Sequence, residues 1–257
     1  MRIYVCIKHV PDTAARITIL ENHRIDDRIT FIMNPYDENA IEEAVRVKAD
    51  LGDAEIIAVT LGSKAAETTL RSALAMGADR GILIQTDEPP DSLVTAAALR
   101  AAIEADGKPD LIFCGKESID SEGFQTMFRL AAGFNIPAAS NVTTFALEQD
   151  SAVVECELGG GAREVIEMSL PCVVGAAKSL NKPNYPTLPA IMKARKKEIK
   201  EIDINDLGFE EPLARVEIRD LKPAVEERQP KEVSGSPDEA AGEIVRILQE
   251  EARVLHD

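Results

Sequence analysis

Short apolar runs alternate with amphipathic segments along most of the chain, and this alternation constrains the fold more than any other feature. Apolar runs bounded by polar or turn residues are typical of buried strands, and we predict strands at 3–7, 55–61, 81–85, 110–114 and 172–176. Segments with helical spacing of their apolar residues follow the first four. The sequence therefore predicts an α/β fold, a Rossmann-like and mostly parallel sheet flanked by helices.

The predicted helices carry recognisable capping signals. The first follows Asn34 and has Asp37 available as its N-cap. Later helices are predicted over 64–76, 91–105 and 121–133, and glycines close to their ends favour termination there.

The pattern changes to strict alternation between residues 140 and 170. NVTTFAL, AVVECEL and REVIEMSL read as antiparallel strands, and the GGG at 159–161 reads as a hairpin turn between two of them. After residue 199 the chain is rich in charge and proline, and it ends in a predicted helix with Ser236 as N-cap and Pro237 at its first position. The fold thus gains a small antiparallel β addition and an extended C-terminal arm with a helix.

The charge balance excludes several classes of partner. A net charge of −16 is unsuited to binding nucleic acid or an anionic membrane surface, and no apolar run approaches the length of a membrane span.

The four cysteines are widely spaced and the three histidines show no ligand spacing, so we expect buried free thiols and no metal site. Met1 leads directly into the first predicted strand, so we expect no targeting peptide and a cytoplasmic location.

The best candidate for a ligand site is GKESIDSEGFQT, residues 115–126, between a predicted parallel strand and a helix. Open α/β sheets bind ligands at this position, and the start of a helix offers backbone N–H groups to a phosphate. Ser118, Ser121, Gln125 and Thr126 add donors, and Gly123 permits close approach of the backbone. The alternative is a loop whose polar residues only cap the helix. No motif for catalysis is present, so we expect the chain not to be an enzyme by itself.

A second candidate is the proline-rich and basic segment near residue 190. Prolines at 183, 186 and 189 stiffen a loop, and a short apolar helix and the densest positive run of the chain, residues 193–197, follow it. This composition suits a docking element for an acidic protein partner. An ordinary short helix with a solvated basic face is the competing interpretation.

The order of these segments resembles the β subunit of electron transfer flavoprotein. PNYPTLPAIMKARKK is similar to the recognition loop of that family, and VCIKHVPDT, MNPYDENAIEEAVRVK, SALAMGADRGI and CGKESIDSEGFQT resemble its other blocks in the same order. The resemblance covers residues 1 to about 205. It implies an electron carrier subunit rather than an enzyme.

By this resemblance, the subunit holds AMP as a structural ligand and helps to form an FAD site that the α subunit largely supplies. The AMP site then comprises three short sets and the loop 115–126, namely Cys6; Asn34, Pro35, Tyr36 and Asp37; Leu61; and Gly115, Lys116, Glu117, Ser118, Ile119, Asp120, Ser121, Glu122, Gly123, Phe124, Gln125 and Thr126. Residues 9–13 would approach the flavin.

The resemblance also implies the partners and the domain organisation. Residues 1–199 form a nucleotide-binding domain that includes the recognition loop, residues 178–199, and residues 200–257 form an arm and helix that wrap around the α subunit. Flavin dehydrogenases, such as acyl-CoA dehydrogenases, dock on the recognition loop and pass electrons through the flavin to a downstream acceptor. The docking residues are Leu188, Ile191, Met192, Lys193, Arg195 and Lys196.

Two alternatives stay open. In electron-bifurcating relatives, the β subunit binds a second FAD in place of AMP and takes part in NADH oxidation; VPDT at 10–13 is similar to those relatives, whereas FQTMF at 124–128 departs from their pattern. A stand-alone adenine nucleotide-binding module would have the same α/β layout, but it would have no use for the recognition loop.

Overall fold

The computed structural model describes residues 1–20, 25–87, 90–209, 216, 220–222 and 231–255. These residues divide into two compact units, Met1–Arg219 and Asp220–Asp257. The first unit contains the sheet and the candidate site, and the second contains the C-terminal helix.

Nine strands of the described residues form one sheet in the order β11-β5-β4-β1-β6-β10-β7-β8-β9. The strands from β11 to β7 run parallel, and β8 and β9 add an antiparallel hairpin at one edge. A separate antiparallel pair, β2 and β3, lies between β1 and the first helix in the chain. The strand bounds are β1 Arg2–Cys6, β2 His9–Pro11, β3 Phe31–Met33, β4 Glu55–Gly62, β5 Arg80–Gln85, β6 Leu111–Gly115, β7 Ala138–Leu147, β8 Ser151–Gly159, β9 Ala162–Ser169, β10 Cys172–Ala176 and β11 Ile199–Asp203.

Helices cover both faces of the sheet because alternate residues of the strands are apolar on both sides. Along β1, Ile3 and Val5 belong to one buried cluster and Tyr4 and Cys6 to another. The helix bounds are α1 Pro35–Leu51, α2 Glu67–Met76, α3 Ser92–Asp106, α4 Thr126–Phe134, α5 Leu188–Ala194 and α6 Pro237–Arg246. Helices α1 and α2 pack in the first cluster, and α3 and α4 pack in the second. The predicted α/β architecture is confirmed.

The strand order reverses next to β1, and this reversal positions the candidate site. The chain passes from β1 to β4 and β5 on one side and then crosses to β6 on the other side of β1. The carboxyl ends of β1 and β6 therefore flank a topological switch point, where open α/β sheets form a ligand crevice.

Two predicted helix starts are wrong. The N-cap of α1 is Asn34 rather than Asp37, because Pro35 occupies the first helical position and fixes its φ there. Helix α4 begins at Thr126 rather than near Ser121. Glu122 and Phe124 have φ of 47° and 51°, in the left-handed region, and such residues interrupt a right-handed helix.

The predicted hairpin is confirmed, since β8 and β9 pair antiparallel and Gly159, Gly160 and Gly161 all have positive φ. The first compact unit continues beyond residue 199, the predicted end of the nucleotide-binding domain. β11 starts at that residue and pairs in parallel with β5 at the edge of the main sheet. The predicted arm, residues 200–257, thus contributes β11 before the chain leaves the sheet.

The second unit contains the predicted C-terminal helix. Ser236 caps α6 in a capping box with Glu239, and Pro237 is its first residue, as predicted. A π-helical turn at Ile247–Glu251 follows α6. Residues 210–215, 217–219, 223–230 and 256–257 of the predicted arm lie outside the described residues.

Among the described residues, no helix combines the length and the apolar character needed to cross a lipid bilayer. The four cysteines are buried and free, as predicted.

Candidate functional site

Asp37 joins the ends of the two strands at the switch point. Its Oδ2 accepts the backbone N–H of Lys8 at 2.7 Å, just beyond β1, and its Oδ1 accepts the backbone N–H of Gly115 at 3.0 Å, at the end of β6. Asp37 is buried in the first turn of α1. Burial raises the pKa of its carboxyl to about 7, although the hydrogen bonds from Asn34, Lys8 and Gly115 oppose this rise. The carboxyl therefore acts as an internal tie, and both of its oxygens are engaged.

Asn34 holds the loop that follows β6. Its Nδ2 donates to Asp37 Oδ1 at 3.0 Å and to the carbonyl oxygen of Glu117 at 2.8 Å, and its Oδ1 accepts the N–H of Ile119 at 3.2 Å. The side chain is buried, so these bonds satisfy groups that would otherwise be costly to bury. Asn34 thus shapes the start of the predicted nucleotide loop from behind.

Lys8 belongs to the candidate site but is not among the residues predicted from the sequence. Its Nζ lies 2.7 Å from Asp120 Oδ1, 3.3 Å from Ser118 Oγ and 3.4 Å from Ser121 Oγ. The two serine hydroxyls are 2.9 Å apart. A lysine just after a strand at a switch point is a usable signal in the sequence, since this position faces the crevice. The ammonium thus donates to the Asp120 carboxylate and to both hydroxyls, and the ammonium and hydroxyls are groups of the kind that can bind a phosphate.

The other predicted nucleotide residues lie along the carboxyl ends of β4, β1 and β6. Cys6 ends β1 opposite Cys114 of β6, and Leu61 is near the end of β4. The hydrogen bond with the Cys6 thiol and burial raise the pKa of Cys114, so the Cys114 thiol remains protonated at neutral pH. Lys116 pairs with Glu117 at 3.2 Å and lies 5.2 Å from the centre of the Tyr36 ring.

The second half of the predicted loop is less closely packed than its start. A Cβ at Gly123 would meet no protein atom within 4 Å, whereas a Cβ at Gly115 would meet the side chains of Asp37, Tyr36 and Asn34. Gln125 is the N-cap of α4 without a side-chain capping bond, and its Oε1 accepts from Arg129 Nε at 3.1 Å. The exposed rings of Phe124 and Phe128 are 5.8 Å apart.

His9, the first residue of the segment predicted to approach the flavin, is held in β2. Its Nδ1 is 2.7 Å from Thr69 Oγ1, and its ring stacks on Phe31 with centroids 4.6 Å apart. Burial lowers the pKa of His9, so its imidazole is neutral at neutral pH.

The recognition loop, residues 178–199, presents apolar side chains to solvent. Leu188 and Met192 on α5 are 72% and 53% exposed, and Ile191 and Tyr185 are exposed as well. Lys193, Arg195 and Lys196 are also exposed and surround the end of α5. The short helix therefore combines an uncovered apolar patch with a positive rim.

Lys197 continues the basic run in the sequence but has a different role. Its Nζ donates to the carbonyl oxygens of Leu74 and Ala78, at 2.9 and 2.6 Å, at the end of α2. Arg71 of α2 returns the contact by donating to the carbonyls of Ala194 and Lys197, at 3.0 and 2.7 Å. Burial lowers the pKa of Lys197. These bonds fix the base of α5 on α2.

Comparison with known proteins identifies the family of the chain. The family model described as "Electron transfer flavoprotein domain" matches residues 24–207. The chain is 36% identical to the electron transfer flavoprotein subunit beta of Bacillus subtilis over 260 residues, which is 99% of this chain and 100% of that one. It is 35% identical to the human subunit beta over 99% of both chains, and 38% identical to the subunit beta of Syntrophomonas wolfei over 77% of this chain and 78% of that one. The chain therefore belongs to the electron transfer flavoprotein family, as a β subunit.

Proposed function

We propose that this chain pairs with an α subunit, helps that subunit to form an FAD site, and docks flavin dehydrogenases through its recognition loop. The exposed apolar patch of α5 carries this proposal. Leu188 and Met192 are largely exposed, although burial of such side chains stabilises a folded protein. The cations beside them suit an acidic partner surface.

The exposed apolar patch of α5 is held on a rigid part of the fold, as a docking site requires. Arg71 and Lys197 tie α5 to α2, so the apolar side chains project from a fixed base. Leu188 would enter an apolar pocket on the dehydrogenase, and Ile191 and Met192 would pack beside it. Lys193, Arg195 and Lys196 would speed the encounter at low ionic strength.

We further propose that AMP binds at the switch point. Lys8 Nζ and the hydroxyls of Ser118 and Ser121 would hold the phosphate, and the ends of β1 and β4, at Cys6 and Leu61, would line the nucleoside side. Asp37 and Asn34 would support the loop 115–119 from beneath. An ammonium and two hydroxyls converge within hydrogen-bonding distance of one another, and a bound phosphate would replace Asp120 as the anion beside Lys8.

Both lysines of the candidate phosphate site are already paired with carboxylates. Lys8 already faces Asp120, and Lys116 is paired with Glu117. Glu122 adds a further negative charge at an exposed position. Charge does not separate the two ligands, because the phosphate of AMP and the pyrophosphate of FAD each carry about two negative charges at neutral pH. The nucleotide content of the complex decides between them.

When bound, an FAD would supply the one- and two-electron redox chemistry. The residues of this chain would place the dehydrogenase near it and would exclude solvent on their side. His9, whose ring is held by Thr69 and Phe31, would lie on the segment that faces the flavin.

Nucleotide analysis of the purified complex tests these proposals. The chain is co-expressed with the α subunit of the same organism, the complex is denatured, and the released nucleotides are quantified by chromatography and mass. We expect one FAD and one AMP per heterodimer. Two FAD without AMP would establish the bifurcating alternative, and recovery of the chain alone with AMP would support the stand-alone module.

A further inference from the structure

Three polar side chains of α1 reach across to the recognition loop. The amide of Asn39 donates to the carbonyl of Lys178 at 3.3 Å, to the carbonyl of Asn181 at 2.9 Å and to Asn181 Oδ1 at 3.0 Å. Asn181 returns a hydrogen bond from its Nδ2 to the carbonyl of Asn39 at 3.0 Å. The start of the loop is therefore bound to the helix backbone and side chain together.

Glu42 and Glu43 extend this contact by one helical turn. The two oxygens of Glu42 accept the backbone N–H of Asn184 at 3.0 Å and its Nδ2 at 2.8 Å. Oε2 of Glu43 accepts from Asn181 Nδ2 at 2.8 Å. Two loop residues three positions apart are thus each held by a carboxylate.

These groups are buried at a cost that local helix structure does not explain. Asn39, Glu42 and Glu43 are 2%, 5% and 7% exposed, and burial raises the pKa of Glu43. Arg46 is the nearby cation, 3.5 Å from Glu42 and 3.8 Å from Glu43. Buried carboxylates are costly unless their hydrogen bonds are satisfied, and here the loop satisfies them.

The held residues lie just before the exposed patch. Asn184 precedes Leu188 by four residues, and Pro183 and Pro186 restrict the backbone between the anchor and α5. Arg71 and Lys197 fix the other end of α5. The exposed patch therefore lies between two segments of chain that are each held by hydrogen bonds.

We propose that Asn39, Glu42 and Glu43 are positioning residues for dehydrogenase docking: they order the recognition loop before the encounter through Asn181 and Asn184, without touching the partner. This rests on the docking function proposed above. A loop that is already ordered loses less conformational entropy when it binds, so the anchors lower the KM for the dehydrogenase and leave kcat unchanged.

Glu42→Gln in the αβ complex tests the proposal. The amide keeps the shape of Glu42 but places an NH₂ group against one of the two Asn184 donors. The matched control is Asp50→Asn, which removes a charge from an exposed position of the same helix. Asn184→Ala removes the contact from the exposed loop side and guards against failure of the buried variant to fold.

The readouts are hydrogen exchange of residues 178–187 by mass spectrometry, steady-state kinetics with a substrate-reduced acyl-CoA dehydrogenase, and nucleotide content. In both anchor variants we expect about tenfold faster exchange in this segment and a KM about three- to tenfold higher, with kcat and bound nucleotides unchanged. Asp50→Asn should match the wild type.

Unchanged exchange and unchanged KM in both anchor variants would overturn the proposal. A raised KM in Leu188→Ala with no rise in Glu42→Gln and Asn184→Ala would overturn the positioning role and leave the docking function standing. No rise in KM in any of the three variants would overturn the docking function, and the positioning role with it.

Discussion

Asp37 Oδ1 accepts the backbone N–H of Gly115 at 3.0 Å, across 78 residues of sequence. The other carboxylate oxygen of Asp37 accepts from the backbone of Lys8, so one buried side chain ties the ends of β1 and β6. These are the two strands between which the sheet order reverses. The geometry of the crevice therefore depends on the Asp37 carboxyl group, whose two oxygens already accept hydrogen bonds within the protein.

This tie has a measurable pH dependence. Burial raises the pKa of Asp37 from 3.8 to about 7, so the folded protein holds this proton more tightly than the unfolded chain. The corresponding stabilisation is complete below about pH 4 and is lost as the pH rises through about 7. We expect the free energy of unfolding of the wild type, relative to Asp37→Asn, to fall by at most about 4 kcal/mol over this range.

Urea unfolding of both proteins at a series of pH values measures this difference. Asp50→Asn, measured in parallel, controls for the loss of one negative charge from an exposed position of α1. If the difference in free energy of unfolding between wild type and Asp37→Asn stays constant with pH, folding does not raise the pKa of Asp37.

Two glycines of the predicted loop should respond oppositely to alanine. A Cβ at Gly115 would lie 2.7 Å from Tyr36 Cβ and would also meet the Asp37 carboxylate, whereas a Cβ at Gly123 would meet nothing within 4 Å. Gly115→Ala should lose about 1–3 kcal/mol of stability and release the nucleotide. Gly123→Ala should be neutral or stabilising by less than about 1 kcal/mol. Urea unfolding measures the stability of the two variants, and nucleotide analysis measures their bound nucleotide. Equal effects in the two variants would contradict the difference in free space around the two glycines.

The positions of the main strands along the chain were predictable from the sequence because apolar runs and helical spacing are local signals. All five strands predicted for the parallel sheet occur, with ends that differ by at most one residue. The helix start predicted at Ser121 failed because the left-handed φ of Glu122 and Phe124 has no local signature in those residue types.

The contacts that shape the candidate site were not predictable in the same way. Asn34 reaches Glu117 and Ile119, and Lys8 reaches Asp120, over sequence separations of 83, 85 and 112 residues. Such pairs depend on which strands become neighbours, and a single sequence does not state that order. Asp37 illustrates the limit, because its residue type suggests an N-cap whereas the fold uses it between strands.

Lys8 should discriminate between a nucleotide and a nucleoside. In the proposed site, its ammonium lies beside Asp120 and the hydroxyls of Ser118 and Ser121 and would contact the phosphate rather than the base or the ribose. In the nucleotide-stripped complex, Lys8→Gln should weaken AMP binding about tenfold or more, the value of a charge-assisted hydrogen bond, and leave adenosine binding unchanged. Calorimetric titration measures both ligands. Lys108→Gln, in the segment before the amino end of β6, serves as the control, and equal losses for AMP and adenosine would refute the assignment.

Leu188 should contribute more to dehydrogenase binding than another leucine of similar exposure. It is 72% exposed on α5, and Leu158 in the β8–β9 hairpin is a matched leucine at 64% exposure. Truncation of an exposed leucine costs little stability, so both variants should fold with their flavin and nucleotide retained. With a substrate-reduced acyl-CoA dehydrogenase, Leu188→Ala should lower kcat/KM for flavin reduction by about tenfold or more, since an anchor in a desolvated pocket is worth 1–2 kcal/mol or more. Leu158→Ala should leave the rate unchanged. Equal rates for the two variants would place the dehydrogenase elsewhere on the protein, because the recognition loop would then contribute no more than an ordinary surface leucine.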